Sequence, residues 1–131
     1  SNNLSMEVKY KNWQDLNITG IKFLLDRALD NLISNAVRHS PKNGKIEIRC
    51  EIDKKHCCLS VWDEGEGVSE ESLEEIFEPF FRIDSSRNRQ TGGFGLGLSL
   101  VKSIAELHKG SVIASNHPNG FEVKLILPLG K

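Results

Sequence analysis

A glycine-rich segment near the C-terminal end of the chain leads directly into an apolar-periodic helix. Glycine has no side chain, so backbone N–H groups can approach a ligand closely where the helix begins. These N–H groups and the positive end of the helix dipole favour phosphate oxygens. The segment predicts an anion site, with close packing as its structural alternative. Its residues are Thr91, Gly92, Gly93, Phe94, Gly95, Leu96, Gly97 and Leu98.

Two common phosphate loops are excluded by the residues around these glycines. Gly92 and Gly97 have the separation of a P-loop, but Leu98 stands where that motif requires lysine. A dinucleotide fingerprint would follow a strand directly, whereas here the polar run 84–90 precedes the glycines. The glycines therefore need companions elsewhere in the chain to define their ligand.

Two asparagines and an arginine lie along one stripe of the first predicted helix. Asn31 and Asn35 are one turn apart, and Arg38 follows another turn on, beside the apolar face. Asparagine costs a helix about half a kcal/mol relative to alanine, so two at one spacing indicate a role. Mg²⁺ prefers oxygen ligands and keeps several waters, so one amide oxygen beside phosphate oxygens would suffice. The alternative is that both amides bond to neighbouring backbone.

An acidic, glycine-containing segment begins where a predicted strand ends. An ionised carboxylate only accepts hydrogen bonds, so Asp63 could accept one from the exocyclic amine of adenine, whereas guanine presents a carbonyl there. Gly65 and Gly67 would let the backbone up to Val68 lie beside a purine. A calcium-binding EF-hand is excluded, because glycines stand where it needs oxygen ligands. A purely structural turn is the alternative.

Composition limits the class of protein. The 131 residues are 38% hydrophobic and 27% charged, which predicts a single globular domain over residues 1–131, expected to be a monomer in isolation. A net charge of −1 argues against nucleic acid as a partner. Three cysteines without C-x-x-C spacing indicate neither disulfides nor zinc and favour a reducing cytosol. No stretch is apolar enough to predict direct membrane contact.

The periodicity of apolar residues predicts the elements that carry these segments. Alternation indicates strands around Met6–Tyr10, Ile46–Ile52, Cys57–Val61, Ser111–Ser115 and Phe121–Leu127. Helical spacing from Ile21 ends before Pro41 and Gly44. Ser69 is expected to cap a short helix carrying Leu73, Ile76 and Phe77, and a further helix carries Leu100, Val101, Ile104 and Leu107 and ends at Gly110. Together these elements predict a sheet with helices on one face.

Four segments taken together resemble the motifs of one protein family. They are Asp30–Ala36, Asp63–Gly67, Phe77–Arg82 and Gly93–Leu98. In this order they resemble the catalytic and ATP-binding domain of sensor histidine kinases, over nearly the whole chain. That domain has the Bergerat fold, shared with type II topoisomerases, ATP-dependent chaperones and mismatch-repair ATPases. The resemblance implies an α/β (α+β) two-layer sandwich, whose mixed, largely antiparallel sheet of about five strands carries about three helices on one face.

The resemblance also implies roles for individual residues. Asn35 would ligate Mg²⁺, with Asn31 a weaker candidate, and Asp63 would bind the adenine amine of ATP. Backbone amides around the glycines would hold the phosphates under a lid over residues 82–91. The roles of six residues stay open. Arg38, and Arg87 or Arg89 in the lid, either neutralise phosphate or are solvated, and Phe80 and Phe81 either anchor the lid or a partner domain or pack in the core. His39 replaces the tyrosine that the family more often has beside the nucleotide, and it either contacts the nucleotide or is a packed, hydrogen-bonded side chain.

The same comparison bears on mechanism and partners. Asn31 stands where the related ATPases carry a glutamate base, and an amide cannot take a proton, so the chain is expected to hydrolyse ATP poorly. None of its four histidines is followed by an acidic residue, so the phosphoacceptor is expected on a separate dimerisation domain outside residues 1–131. A response regulator would act downstream, and the chain would be the cytoplasmic part of a membrane-anchored sensor. The alternatives are an ATP-sensing module without transfer and a stand-alone ATPase.

Overall fold

The computed structural model of the chain describes residues 5–9, 22–79 and 97–128. Within these residues, five strands and three helices alternate along the chain. The strands are β1 (Ser5–Lys9), β2 (Lys45–Ile52), β3 (His56–Asp63), β4 (Ser111–His117) and β5 (Gly120–Pro128). The helices are α1 (Lys22–His39), α2 (Ser72–Glu75) and α3 (Gly97–Leu107).

The five strands form one mixed, largely antiparallel sheet in the order β1-β2-β3-β5-β4. β1 runs parallel to β2, and every other neighbouring pair is antiparallel. A tight turn joins β2 to β3, where the Asp53 carboxylate accepts hydrogen bonds from the N–H groups of Lys55 and His56 at 2.8 and 2.7 Å. The sheet that the sequence predicted is therefore confirmed.

Side chains alternate along each strand, so one face of the sheet is apolar. The helices pack against this face. Ile46 and Ile48 of β2 and Val123 and Leu125 of β5 are buried on this face. α1 packs over β3, and α3 packs over β4 and β5 and against α1. The core thus lies between a helical layer and a sheet, as expected for a two-layer sandwich.

The opposite face of the sheet is polar. It carries a shallow depression of about 630 Å³, lined by charged side chains of β2 and β5 and by Ser60 and Trp62 of β3. Two of its acidic residues are paired, because Glu47 lies 2.8 Å from Arg49 and Glu122 lies 2.9 Å from His117. No described helix covers this face, so these charged side chains can pair with each other at the surface.

α1 buries one stripe and exposes the other, as its periodicity predicted. Ala28, Leu32 and Ala36 follow each other at four-residue spacing, and each is at most 2% exposed. The helix ends at His39, two residues before Pro41, and Asn43 has a left-handed φ of 63° in the following turn. This orientation of α1 fixes where its polar stripe points.

Two expectations for the other helices are wrong. Ser69 does not cap α2: its hydroxyl lies 2.9 Å from that of Ser72, and the helix begins only after Glu71, without a side-chain cap. α2 is accordingly four residues long, with Ile76 and Phe77 buried just beyond it. Leu107, expected on the apolar side of α3, is 60% exposed, because it lies in the last turn.

α3 ends in a Schellman motif, in which the residue at the left-handed position is lysine. Lys109 has φ of 63° and donates to the Glu106 carbonyl at 3.0 Å, while the Gly110 N–H donates to the Ala105 carbonyl at 2.7 Å. Position 110 requires glycine, because a Cβ there would collide with the Ile126 carbonyl of β5. None of the described helices is long and apolar enough to span a membrane.

Candidate nucleotide-binding site

The site is built around Asp63, the last residue of β3. This carboxylic acid is only 2% exposed, and its Oδ1 accepts a hydrogen bond of 2.7 Å from the N–H of Gly65. Burial raises the pKa of Asp63 to about 6, and the bond from Gly65 partly opposes that rise. A buried carboxylate with a raised pKa and few partners is a common feature of binding sites. At pH 7 it is still mostly ionised and able to accept a donor.

Gly65 brings the end of α1 against the end of β3. A Cβ at position 65 would lie 2.5 Å from the carbonyl oxygen of His39 and 2.7 Å from Oδ1 of Asp63. Neither distance leaves room for a side chain. The C-terminal turn of α1 and the Asp63 carboxylate therefore meet across a bare stretch of backbone.

The two asparagines lie on the side of α1 that continues from this contact. Asn35, one turn before His39, is only 5% exposed, and its side chain takes no hydrogen bond from the part of the chain that the structure describes. Asn31, one turn earlier, is half-buried, and its Oδ1 would lie 3.9 Å from a Cβ placed on Gly97. The polar stripe of α1 thus reaches from Asp63 to the first residue of α3.

The last turn of α1 adds two basic side chains. Arg38 is exposed, and its Nη1 donates to Oγ of Ser34 at 3.2 Å. Partial burial, followed by the charge of Arg38, lowers the pKa of His39, although the residue as a whole is exposed. His39 is therefore neutral at pH 7, while Arg38 carries the positive charge at the mouth of the site.

The loop that follows β3, residues 64–70, is held at both ends. At its start, Oε1 of Glu64 accepts the Lys45 N–H at 2.9 Å. At its other end, the side chain of Asn116 in β4 bonds to the backbone of Val68. Sequence reasoning missed Asn116, which lies 48 positions from Val68, and no local motif marks it. Hydrogen bonding between distant segments is seen only in the folded chain.

The structure brings together part of the predicted residue set. Asn31, Asn35, Asp63, Gly65 and Gly97 lie around the junction of α1, β3 and α3. Val68 and Leu98 also border this region, but they pack against the hydrophobic core. Other predicted positions lie outside the described residues: Phe80, Phe81, Thr91, Gly92, Gly93, Phe94, Gly95, Leu96, and the expected lid with Arg87 and Arg89.

The arrangement has the chemistry of a purine nucleotide site. It offers one buried acceptor, two amide side chains, an arginine and the N-terminal end of an eleven-residue helix. The acceptor suits an exocyclic amine, while amide oxygens and a helix N-terminus suit a metal-bound phosphate chain. Asp63 and Arg38 lie at the C-terminal end of α1, and Asn35, Asn31 and then Gly97 of α3 follow along the stripe. Base and phosphates would therefore bind toward opposite ends of it.

Comparison with known proteins agrees with this chemistry. The family model for histidine kinase-, DNA gyrase B- and HSP90-like ATPases matches residues 20–131. The sensor histidine kinase CpxA of Escherichia coli (strain K12) is 43% identical over 108 residues, which cover 82% of this chain and 23% of CpxA. The chain thus spans about a quarter of the length of this curated relative.

Solved structures of the same class share the fold. The nucleotide-free catalytic domain of histidine kinase ThkA superposes with a TM-score of 0.83 at 31% identity, covering 97% of this chain and 81% of that domain. The structure of ThkA in complex with response regulator protein TrrA superposes with a TM-score of 0.79 at 29% identity, covering 98% of this chain and 35% of that chain. The chain belongs to the histidine kinase-, DNA gyrase B- and HSP90-like ATPase family, as an ATP-binding domain of the sensor histidine kinase type. The fold that the resemblance implied is confirmed.

Proposed function

We propose that this chain binds Mg²⁺-ATP and transfers the γ-phosphoryl group to a histidine on a separate dimerisation domain. The observation that carries the proposal is the buried Asp63 carboxylate, which meets the asparagine-bearing helix across Gly65. A buried acceptor next to a polar helical stripe is what adenine and a metal-bound triphosphate need. Membership of the ATPase family supports the same ligand.

Each side chain of the site has a role in this proposal. Asp63 accepts a hydrogen bond from the adenine amine, since Oδ1 already holds the Gly65 N–H and a carboxylate has a second oxygen. Asn35 contributes its amide oxygen to Mg²⁺, with Asn31 as the secondary candidate. Arg38 follows Asn35 by about one turn, and its long, exposed side chain is the candidate to oppose the negative charge of the phosphates. The glycines that lead into α3 supply backbone N–H groups to the phosphates.

Transfer to a protein acceptor is favoured over hydrolysis by the residue at position 31. Water attack needs a base, and the Asn31 amide cannot take a proton at neutral pH. A neutral imidazole nitrogen on the acceptor needs no such base. It forms a bond to the γ-phosphorus as the bond to the ADP oxygen breaks. The chain then contributes positioning and charge neutralisation, which are the main elements of phosphoryl transfer.

The proposed context is a two-component sensor. Residues 1–131 form one catalytic and ATP-binding domain, and the phosphoacceptor lies on the dimerisation domain of the parent protein. The crystal structure of ThkA with TrrA supports a response regulator as the downstream partner. Because the chain matches only 23% of CpxA, the proposal also includes a cytoplasmic location for this domain within a larger, membrane-anchored sensor.

The proposal is tested by supplying the missing acceptor. The chain is incubated with ATP radiolabelled at the γ-phosphate, Mg²⁺ and a separately produced dimerisation domain. We expect acid-labile label on the acceptor histidine and little free phosphate. Asn35→Ala should lower transfer by about 100-fold, as expected when a metal ligand at the reacting phosphate is lost. Asn119→Ala, at an exposed turn residue, is the matched control and should transfer normally.

Other results of this transfer assay would favour other functions or contradict the site assignment. ATP binding without label on any supplied acceptor would favour an ATP-sensing module. Steady phosphate release in the absence of acceptor would favour a stand-alone ATPase. Equal transfer by the wild type and Asn35→Ala would contradict the assignment of the metal ligand.

A further inference from the structure

The side chain of Asn116 makes a two-point contact with the backbone of one residue in the 64–70 loop. Its Oδ1 accepts the Val68 N–H at 3.1 Å, and its Nδ2 donates to the Val68 carbonyl at 2.6 Å. Val68 can donate only through N–H and accept only through C=O, so these partners fix the orientation of the amide. Asn116 therefore pairs with Val68 as an additional strand residue would.

The same side chain occupies the space above Gly67. This glycine has φ of 82°, a left-handed conformation that residues with a side chain rarely adopt. A Cβ at position 67 would collide with Oδ1 of Asn116 and contact the Phe121 ring at 3.5 Å. Phe121 is buried and faces Asn116 across the β4–β5 pair. The loop backbone is thus packed closely onto the end of the β4–β5 hairpin.

The contacts of Asn116 hold one end of the 64–70 loop, and the turn at Asp63 holds the other. The Gly65 N–H bonds to Asp63, and Glu64 bonds to the start of β2, so the loop is held to β3 and β2 at one end. Asn116 holds it to β4 at the other end. Nδ2 of Asn116 also lies 3.2 Å from Oε2 of Glu70, close to where α2 begins. Val68 also packs against the core, but among the described residues Asn116 supplies the hydrogen bonds from a side chain outside the loop to its second half.

We propose that Asn116 is a positioning residue of the adenine subsite. It sets the distance between the backbone of residues 67–68 and the Asp63 carboxylate, and so holds the loop in a conformation that accepts adenine before the nucleotide binds. This inference rests on the proposed nucleotide-binding function. Asn116 touches no substrate: it acts through Gly67 and Val68. Because it acts on the base side of the site, its loss should weaken recognition of the base more than binding of the phosphates.

The first measurement is hydrogen exchange of the Val68 amide in the nucleotide-free chain, which does not depend on ATP. In Asn116→Ala, the Val68 N–H loses its acceptor and should exchange at least about tenfold faster, while the amide of Val123 in the sheet centre stays protected. Asn119→Ala lies in the same hairpin and makes the same chemical change at an exposed residue. It should leave Val68 exchange unchanged.

The second measurement is the affinity for ATP and for GTP, obtained by competition. Asn116→Ala should bind ATP about tenfold more weakly, and the preference for ATP over GTP should shrink by a similar factor. Asn116→Asp keeps the acceptor for the Val68 N–H but replaces the donor with a carboxylate facing Glu70. It should show the same change in preference, and it serves as the test if Asn116→Ala does not fold.

Three results would overturn the inference. They are unchanged exchange at Val68, unchanged ATP affinity, and equal loss of ATP and GTP, which would mean a role in stability alone. If the wild type binds no ATP, it is the proposed function that fails. The exchange result would then still report whether Asn116 holds the loop.

Discussion

At the scale of single residues, the site depends on a carboxylate placed where burial opposes its charge. Asp63 is 2% exposed, and within residues 5–9, 22–79 and 97–128 its carboxylate has one hydrogen bond, from the Gly65 N–H. The ionised form is therefore destabilised in the folded chain unless a ligand supplies another donor. An adenine amine would supply that donor. The new hydrogen bond would stabilise the buried carboxylate, and this stabilisation would add to the affinity for the nucleotide.

This unfavourable state predicts a pH dependence of stability. The pKa of Asp63 is about 6 in the folded chain and 3.8 for an ordinary aspartic acid, so the folded form binds the proton more tightly. The stabilisation from protonation is fully present below pH 3.8 and is lost as the pH rises through 6. It amounts to about 3 kcal/mol. The difference in unfolding free energy between the wild type and Asp63→Asn should therefore change by about 2.4 kcal/mol between pH 4 and pH 7.

Asp63→Asn is the right reference because its amide oxygen can still accept the Gly65 N–H while the group no longer titrates. Both proteins share every other titrating residue, which cancels in the difference. A difference that does not vary with pH, or that favours the wild type at pH 7 over pH 4, would contradict the electrostatic account of Asp63.

Residue patterns allowed the site to be predicted only in part. The spacing of Asn31 and Asn35, and the position of Asp63 at a strand end, are visible in the sequence. Asn116 was missed, because its role depends on an approach between a loop and an edge strand 48 positions away. An asparagine near a hairpin turn has an ordinary local explanation, and only the folded backbone shows its partner.

At the scale of elements, α1 links stability to the site. Its buried stripe of Ala28, Leu32 and Ala36 fixes the rotation of the helix, and Asn31 and Asn35 each lie one residue before a member of that stripe. Neighbouring positions on a helix are about 100° apart, so the packed stripe determines where the amides point. A change in the core of α1 should therefore affect the site as well as the fold.

Truncating the centre of that stripe provides the prediction. Leu32 is 1% exposed, so Leu32→Ala should lower the free energy of unfolding by about 2–5 kcal/mol through lost burial and a cavity. Leu107→Ala is the matched control, because Leu107 is 60% exposed and its truncation should change stability by less than about 0.5 kcal/mol. Urea titration monitored by circular dichroism measures both. Similar losses in the two variants would show that burial in α1 does not control stability.

Element types were more predictable than element ends. Alternation located the strands, and Pro41 and Gly44 marked the end of α1. The cap predicted at Ser69 was wrong: serine before an apolar helix is typical of a cap, but here Ser69 closes a separate turn before α2. Leu107 fits the apolar spacing of α3, but it is the last residue of the helix and is exposed. The first error thus concerns a local turn, and the second the exposure of a helix end.

At the scale of the whole molecule, the sheet order brings the site together. β5 lies between β3 and β4, so the end of β3 with Asp63 lies close to the β4–β5 turn. The helical layer then brings α1 and the first residue of α3 over that end. This order is not contained in local periodicity. The resemblance to a family, which the comparisons confirm, implied a mixed, largely antiparallel sheet but not this order.

The central claim is that adenine binds at Asp63, and calorimetric titration of Mg²⁺-ATP into three proteins tests it most directly. Asp63→Asn retains the Gly65 bond but turns an N–H donor toward the adenine amine, so affinity should fall by about 10- to 100-fold. Asp53→Asn makes the same change in the exposed β2–β3 turn and should bind like the wild type. Wild-type affinity in a folded Asp63→Asn protein, or an equal loss in Asp53→Asn, would contradict the assignment.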